Sequence, residues 1–332
     1  MHRIKNFSLK NNNTFGIDCR AAEFIEYDSE EELQSLVPEL QGKSVLHVGG
    51  GSNLLFTKDF DGIVLHSGIR GVELMEESAD EVVIRVGAAE VWDELVDYAV
   101  SHGWSGIENL SLIPGETGAA AVQNIGAYGT EVKDVIAGVE TISLDTGEPR
   151  RFSNEECRYA YRQSVFKNEL KGKYAVTYVW LRLSKNFMPN TGYGNIRQAM
   201  EGRELTAANV RQAIIDIRNE KLPDPKVTGN AGSFFVNPVV TDEQFHHLQA
   251  GYPDMPYYKV DGGYKIPAGW LIEQAGWKGR SLGRAAVHDK QALVIVNLGG
   301  ADAEEIVRLS DTVRADVKAK FGVEIKPEVN FI

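Results

Sequence analysis

Three consecutive glycines close a short apolar run in His47-Val-Gly-Gly-Gly-Ser-Asn53. Glycines there let a backbone approach a ligand and turn N–H groups toward phosphate oxygens. The candidates are Gly49, Gly50, Gly51, Ser52, Asn53 and Leu54. Neither GxGxxG nor a P-loop ending in Gly-Lys-Ser/Thr is present. A plain glycine turn between strands explains the same spacing. A second run, from Ile113 to Tyr128, reads IPGETGAAAVQNIGAY. Its small side chains suit a large flat ligand, and Gln123 and Asn124 offer donors and acceptors. A tightly packed small-residue helix or turn is the competing reading. Two such loops fit a dinucleotide better than a lone phosphate.

Three further residues have chemical potential. Arg162, in YAYRQSVF, stands among aromatics and can hold a carboxylate with its fork of donors. Ser233, in GNAGSFFVNP, follows a glycine but lies in no GxSxG elbow, and no histidine is an evident partner. It could donate a proton if polarised, or merely cap a turn. Glu328 lies in the tail KPEVNFI, whose apolar neighbours imply a docked segment. No HExxH or similar metal pair occurs, so no metal is expected.

These residues need positioning by strands and helices that interleave without a regular βαβ beat, so the fold class is α+β. Strands are expected at 45–48, 63–65, 82–86, 139–144 and 176–183. Helices are expected at 91–100, 206–218 and 302–320 from apolar spacing of three or four, and a short one at 266–275. Gly103 and Gly322 are the expected stops of two of them.

Composition narrows the function. The chain has 332 residues, a length that suits two or three domains, and its 43% hydrophobic content is ample for packed cores. The net charge of −12 argues against a nucleic-acid binder or an anionic membrane surface as partner. No apolar run suggests a membrane span or a secretory leader. Cys19 and Cys157 are expected as reduced thiols in a cytoplasmic protein.

Taken in order, HVGGGSNLLF, NLSLIPGETGAAAVQNIGAYG, YRQSVFK, KLPDP, GNAGSFFVNP and KPEVNFI resemble the UDP-N-acetylenolpyruvoylglucosamine reductase family. The likeness runs from about residue 15 to the end. Several motifs in one order are far more specific than any alone. The resemblance implies three domains. Residues 1–70 with 321–332, and 71–203, would form a vanillyl-alcohol-oxidase-like FAD-binding unit. Residues 204–320 would form an α/β substrate-binding domain. Thr191-Gly-Tyr-Gly-Asn195 looks like the tyrosine loop of the longer family type.

The implied reaction passes a hydride from NADPH through noncovalently held FAD to UDP-N-acetylglucosamine enolpyruvate, in peptidoglycan precursor synthesis. The implied catalytic residues are Arg162 and Glu328, for the developing enolate, and Ser233 as proton donor. To the six glycine-turn residues above, the implied flavin set adds Pro114, Gly115, Gly118, Ala119, Gln123, Asn124, Gly126 and Tyr161. The implied substrate set is Tyr128, Tyr193, Lys221, Asn237 and Gln291. The family also suggests a monomer. Another noncovalent flavin oxidase or dehydrogenase, or a flavin-free sensor of UDP-sugars, are the alternatives.

Two positions depart from the family pattern. Glu116 stands where a threonine is usual, and would repel a pyrophosphate unless it points away. Asn330 stands where an arginine is usual. His47 is a flavin-linking residue by chemical type alone, and packing at a strand end is the expected role.

Overall fold

The computed structural model describes residues 1–332. Its residues group into two compact units. The first comprises residues 1–7, 21–50 and 60–220, and the second residues 8–20, 51–59 and 221–332.

The first unit holds two sheets. A four-stranded sheet runs in the order His2–Ser8, Arg20–Tyr27, Phe60–Ser67, Val45–Val48. Its last three strands pair in parallel, a geometry that needs a crossover helix. Helix α1 (Glu30–Leu40) supplies it, with Ser29 accepting from the Glu32 amide at its start. Leu33, Leu36 and Leu40 on its inner face pack with Ile25, Ile63, Leu65, Ile142 and Leu144. A five-stranded sheet runs Pro149–Ser153, Ile136–Ser143, Tyr174–Ser184, Glu81–Gly87, Val72–Glu77, antiparallel throughout.

Val82, Ile84 and Val86 face a core shared with α2 (Trp92–Ser101) and α3 (Thr117–Gln123). The Trp92 indole is buried there and donates to the Leu110 carbonyl at 2.9 Å. Two helices, α4 (Ile196–Ala199) and α5 (Ala207–Lys221), enclose a smaller cluster with Val210, Ile214 and Ile217 inside.

The second unit is built on an antiparallel sheet ordered Gly229–Ser233, Val294–Asn297, Ala285–Val287, Ser281–Leu282. It also contains α6 (Asp242–Gly251), α7 (Ala268–Gln274) and the long α8 (Ala303–Phe321). In α8, Ile306, Leu309, Val313 and Val317 are fully buried at the expected spacing. Asp302 caps its start, and Gly322 ends it with φ +67°. The tail is docked: Lys326–Pro327 pairs with Phe235–Val236, and Asn330–Phe331 runs parallel to Leu54–Leu55.

The α+β expectation holds, and each expected strand and helix is found within a few residues of its place. The helices α1, α4 and α6 were not anticipated. Apolar spacing and the Ser29 cap were available for α1, but Pro38 stands inside it.

Candidate active site

In the first unit the two glycine-rich segments meet. A methyl group on Gly49 would lie 3.0 Å from Oε2 of Glu116 and 3.2 Å from Cβ of Ala119. One on Gly50 would lie 3.5 Å from the Gly115 Cα. Gly115 has φ +121°, a conformation that favours glycine. Gly118 packs so tightly that a methyl there would sit 2.8 Å from Cβ of Ala88. The Thr117 and Gly118 amides donate to the Glu90 and Ala88 carbonyls, which fixes α3 behind the turn. Backbone thus meets backbone at Gly50 and Gly115, and Glu116 is the large side chain that reaches the Gly49 and Gly50 positions. Bare backbone is the surface a pyrophosphate and a flat ring system require, so these residues fit FAD.

Asn124 ends α3 in the left-handed region, at φ 49°. Its amide donates to the Ala160 and Glu131 oxygens, and its Oδ1 accepts from the Lys133 amide. The side chain therefore ties its loop together. Arg162 also has positive φ, at 56°. Its guanidinium donates to the Gly126 carbonyl at 2.5 Å and the Asn124 carbonyl at 3.3 Å, and lies over the Tyr161 ring. Ser164 donates to Val122, and Lys167 to the Arg162 carbonyl. The fork is thus pinned to the end of the second glycine segment. Nothing in its spacing with aromatics revealed those carbonyl partners.

Tyr128 and Tyr193 also come together. The Gly129 position abuts Cβ of Tyr193, and Gly194 abuts the Tyr128 ring. Asn109 donates to the Tyr128 and Asn190 carbonyls, while Asn190 donates to the Gly129 carbonyl and the Thr130 hydroxyl. These bonds hold the tyrosine loop on the Gly126–Gly129 turn. The phenol of Tyr128 pairs with the buried Arg218 guanidinium. Burial raises the Tyr128 pKa, against the pull of that cation. Arg218 was not singled out from sequence, since one arginine on a helix carries no signal.

Glu116 does not point away from the glycine turn. Its Oε1 lies 3.0 Å from Nε2 of His66, whose Nδ1 lies 2.7 Å from Oε2 of Glu26. Burial lowers the His66 pKa, but the two carboxylates outweigh it and leave the pKa raised. His47 is half-buried, with Nε2 2.8 Å from the Tyr27 hydroxyl. Burial lowers its pKa to about 4. It packs at the strand end, as expected.

In the second unit Ser233 and Glu328 lie close along the docked tail, and the other candidates lie elsewhere in the unit. The Phe234 carbonyl accepts from the Glu328 amide at 2.8 Å, so Glu328 sits one residue across from the exposed Ser233. Asn53 donates to the Glu328 carbonyl, and its own carbonyl accepts from the backbone and side chain of Asn330. Asn330, standing in for the usual arginine, therefore fastens the tail to the turn of Gly51, Ser52, Asn53 and Leu54. Gly51 has φ +64°, and a methyl there would overlap the Asn12 carbonyl. Asn237 accepts from the Ala268 amide with its Oδ1, and Gln291 lies 3.3 Å from a methyl placed on Gly269. Both thus flank the start of α7. Lys221 ends α5, half-buried.

No helix is long and apolar enough to cross a membrane. Both cysteines are buried and form no disulfide. Burial raises the thiol pKa of Cys19 to about 12 and of Cys157 to about 11.

Comparison with known proteins agrees with this geometry. Residues 21–153 match the FAD binding domain family, and residues 224–332 match the C-terminal domain of UDP-N-acetylenolpyruvoylglucosamine reductase. A UDP-N-acetylenolpyruvoylglucosamine reductase of Bacteroides fragilis is 57% identical over 98% of this chain and 99% of its own. One from Flavobacterium johnsoniae is 45% identical over 98% of each chain. The crystal structure of the Thermus caldophilus reductase shares the fold with a TM-score of 0.70, at 23% identity over 99% of this chain and 98% of that one. With this identity along nearly its whole length, the chain belongs to the UDP-N-acetylenolpyruvoylglucosamine reductase family, flavoenzymes that reduce the enolpyruvyl sugar nucleotide for peptidoglycan synthesis.

Proposed function

We propose that NADPH is the hydride donor of this reductase and that Ser233, Arg162 and Glu328 carry the protein's share of the chemistry. FAD, when bound, supplies the hydride relay from the nicotinamide to the alkene of the substrate. The glycine turn at 49–54 and the segment from Pro114 to Gly126, with Tyr161, would hold it without a covalent bond.

Hydride addition to the enolpyruvyl group pushes negative charge onto the substrate carboxylate. Arg162 is the cation suited to hold that charge, because its guanidinium is already fixed by two carbonyls and needs no reorganisation. A proton must then reach the adjacent carbon. Ser233 is its proposed source. A hydroxyl is a weak acid, so it donates only to a strongly basic centre or with a polarising neighbour. Glu328 is the proposed polarising carboxylate. Tyr128, Tyr193, Lys221, Asn237 and Gln291 would hold the sugar nucleotide, with Lys221 a point charge for its phosphates.

The observation that supports the assignment is the backbone bond from the Glu328 amide to the Phe234 carbonyl, which sets Glu328 across from the residue that follows Ser233. We also infer the finer division into domains at 1–70 with 321–332, 71–203 and 204–320, and a monomer acting in the cytoplasm on small-molecule partners alone.

Stopped-flow absorbance of the two half-reactions tests the roles. Ser233→Ala is expected to leave bleaching of the flavin by NADPH intact. It should slow the return of the flavin bands with the enolpyruvyl substrate by about 100-fold or more, the usual weight of a positioned acid. Equal losses in both halves would remove Ser233 as proton donor.

A further inference from the structure

We propose that the Glu116 carboxylate, clamped by His66 against the Gly49–Gly50 turn, sets the FAD affinity of this enzyme by opposing the cofactor's pyrophosphate. The proposal rests on reading that turn as the pyrophosphate seat. Both ring nitrogens of His66 face carboxylate oxygens, at 2.7 Å and 3.0 Å. Two hydrogen bonds to carboxylates require two N–H groups, so this geometry is that of an imidazolium. The Glu116 side chain is only 13% exposed, and its oxygens face the built methyl positions of Gly49 and Gly50. A carboxylate is thus held at the place where the backbone is bare enough to admit phosphate oxygens. One histidine cation stands against two carboxylates, so the cluster keeps a negative excess. That excess disfavours a dianion nearby, and little solvent intervenes to screen it.

The groups facing His66 define how this charge varies with pH. Glu26 comes from strand Arg20–Tyr27, His47 from strand Val45–Val48, and Glu116 from the segment before α3; Tyr27 stands behind them, bonded to His47. Glu30 of α1 acts on Tyr27. Burial holds Tyr27 protonated and His47 neutral through the neutral range. Within this cluster, His66 is therefore the group whose charge changes as pH rises above neutrality. Its deprotonation adds one negative charge at the turn, so FAD binding weakens toward alkaline pH.

The dissociation constant of FAD, read from flavin fluorescence released on serial dilution of the holoenzyme, tests this. Glu116→Gln is expected to tighten FAD by about fivefold at neutral pH, the order of one partly screened charge. His66→Gln is expected to weaken FAD and to flatten the alkaline loss of affinity. Thermal unfolding of each variant shows whether it is folded. Gly50→Ala separates this proposal from the seat reading, because its added methyl meets nothing closer than 3.5 Å. A weakened Gly50→Ala variant together with a tightened Glu116→Gln variant supports both. Weakened Gly50→Ala with unchanged or weakened Glu116→Gln overturns the proposal alone, and means Glu116 serves FAD as a hydrogen-bond acceptor or not at all. No effect of either substitution overturns the seat reading and the proposal together.

Discussion

Gly118 has little freedom to change. Its amide is used by the Ala88 carbonyl, and its α-carbon faces Cβ of Ala88 across a gap that no methyl fits. Gly118→Ala is therefore expected to lose about 1–3 kcal/mol in urea unfolding, the usual cost of overpacking. Ala88→Gly should restore part of that loss in the double variant, because it removes the opposing methyl. If the double variant is no more stable than Gly118→Ala alone, the steric account fails. The glycine motifs were legible because their spacing is local and their purpose, bare backbone, follows from the residue type. The orientation of Glu116 was not. It depends on His66, fifty positions away in sequence, and a lone histidine within an apolar strand announces nothing. The same holds for Asn330, whose partner Asn53 is reached only when the tail docks.

At the scale of elements, the tyrosine loop shows how short segments are positioned without packing. Tyr193 is 43% exposed, so burial contributes little to its place. Asn109 and Asn190 hold it through main-chain carbonyls of the neighbouring turn. Asn190→Ala removes the bonds to the Gly129 carbonyl and the Thr130 hydroxyl. With Tyr193 a substrate ligand as proposed, KM for the sugar nucleotide should rise several-fold while flavin reduction by NADPH is unchanged. An unaltered KM would mean that the loop needs no such clamp, or that Tyr193 does not touch substrate. Helices α2, α5 and α8 were readable because each shows a single apolar face, and α2 and α8 also end at a glycine. Helix α1 carries such a face too, but its internal proline disguises it. Helix α6 buries just Phe245 and Leu248, too thin a stripe for periodicity to reveal.

Over the whole molecule, the chain order is a poor guide to which parts fold together. Residues 8–20 and 51–59 belong to the unit that otherwise begins at 221. A linear reading finds the docked tail from its apolar composition, but not these inserts. Stability of the whole chain should also record its buried groups through pH. His47 is neutral and half-buried beside Tyr27, with its pKa lowered from 6.5 to about 4. A depressed histidine gives its full contribution above pH 6.5 and loses it as pH falls toward 4, because the unfolded chain takes the proton first. The shift corresponds to about 3 kcal/mol. Paired carboxylates with lowered pKa, such as Glu32 and Glu305, add losses of the same sign further into acid. His66 acts oppositely: its raised pKa gives stability below pH 6.5 that is lost as pH rises through the elevated value. Comparison with His47→Gln isolates the first effect, since every other group is common to both proteins. Urea unfolding at about pH 7 and about pH 4.5 should show a smaller acid loss in the variant, even if the variant starts lower at neutrality. Parallel losses in the two proteins would mean that His47 takes up its proton at the same pH folded and unfolded, and the acid sensitivity would then belong to the carboxylates.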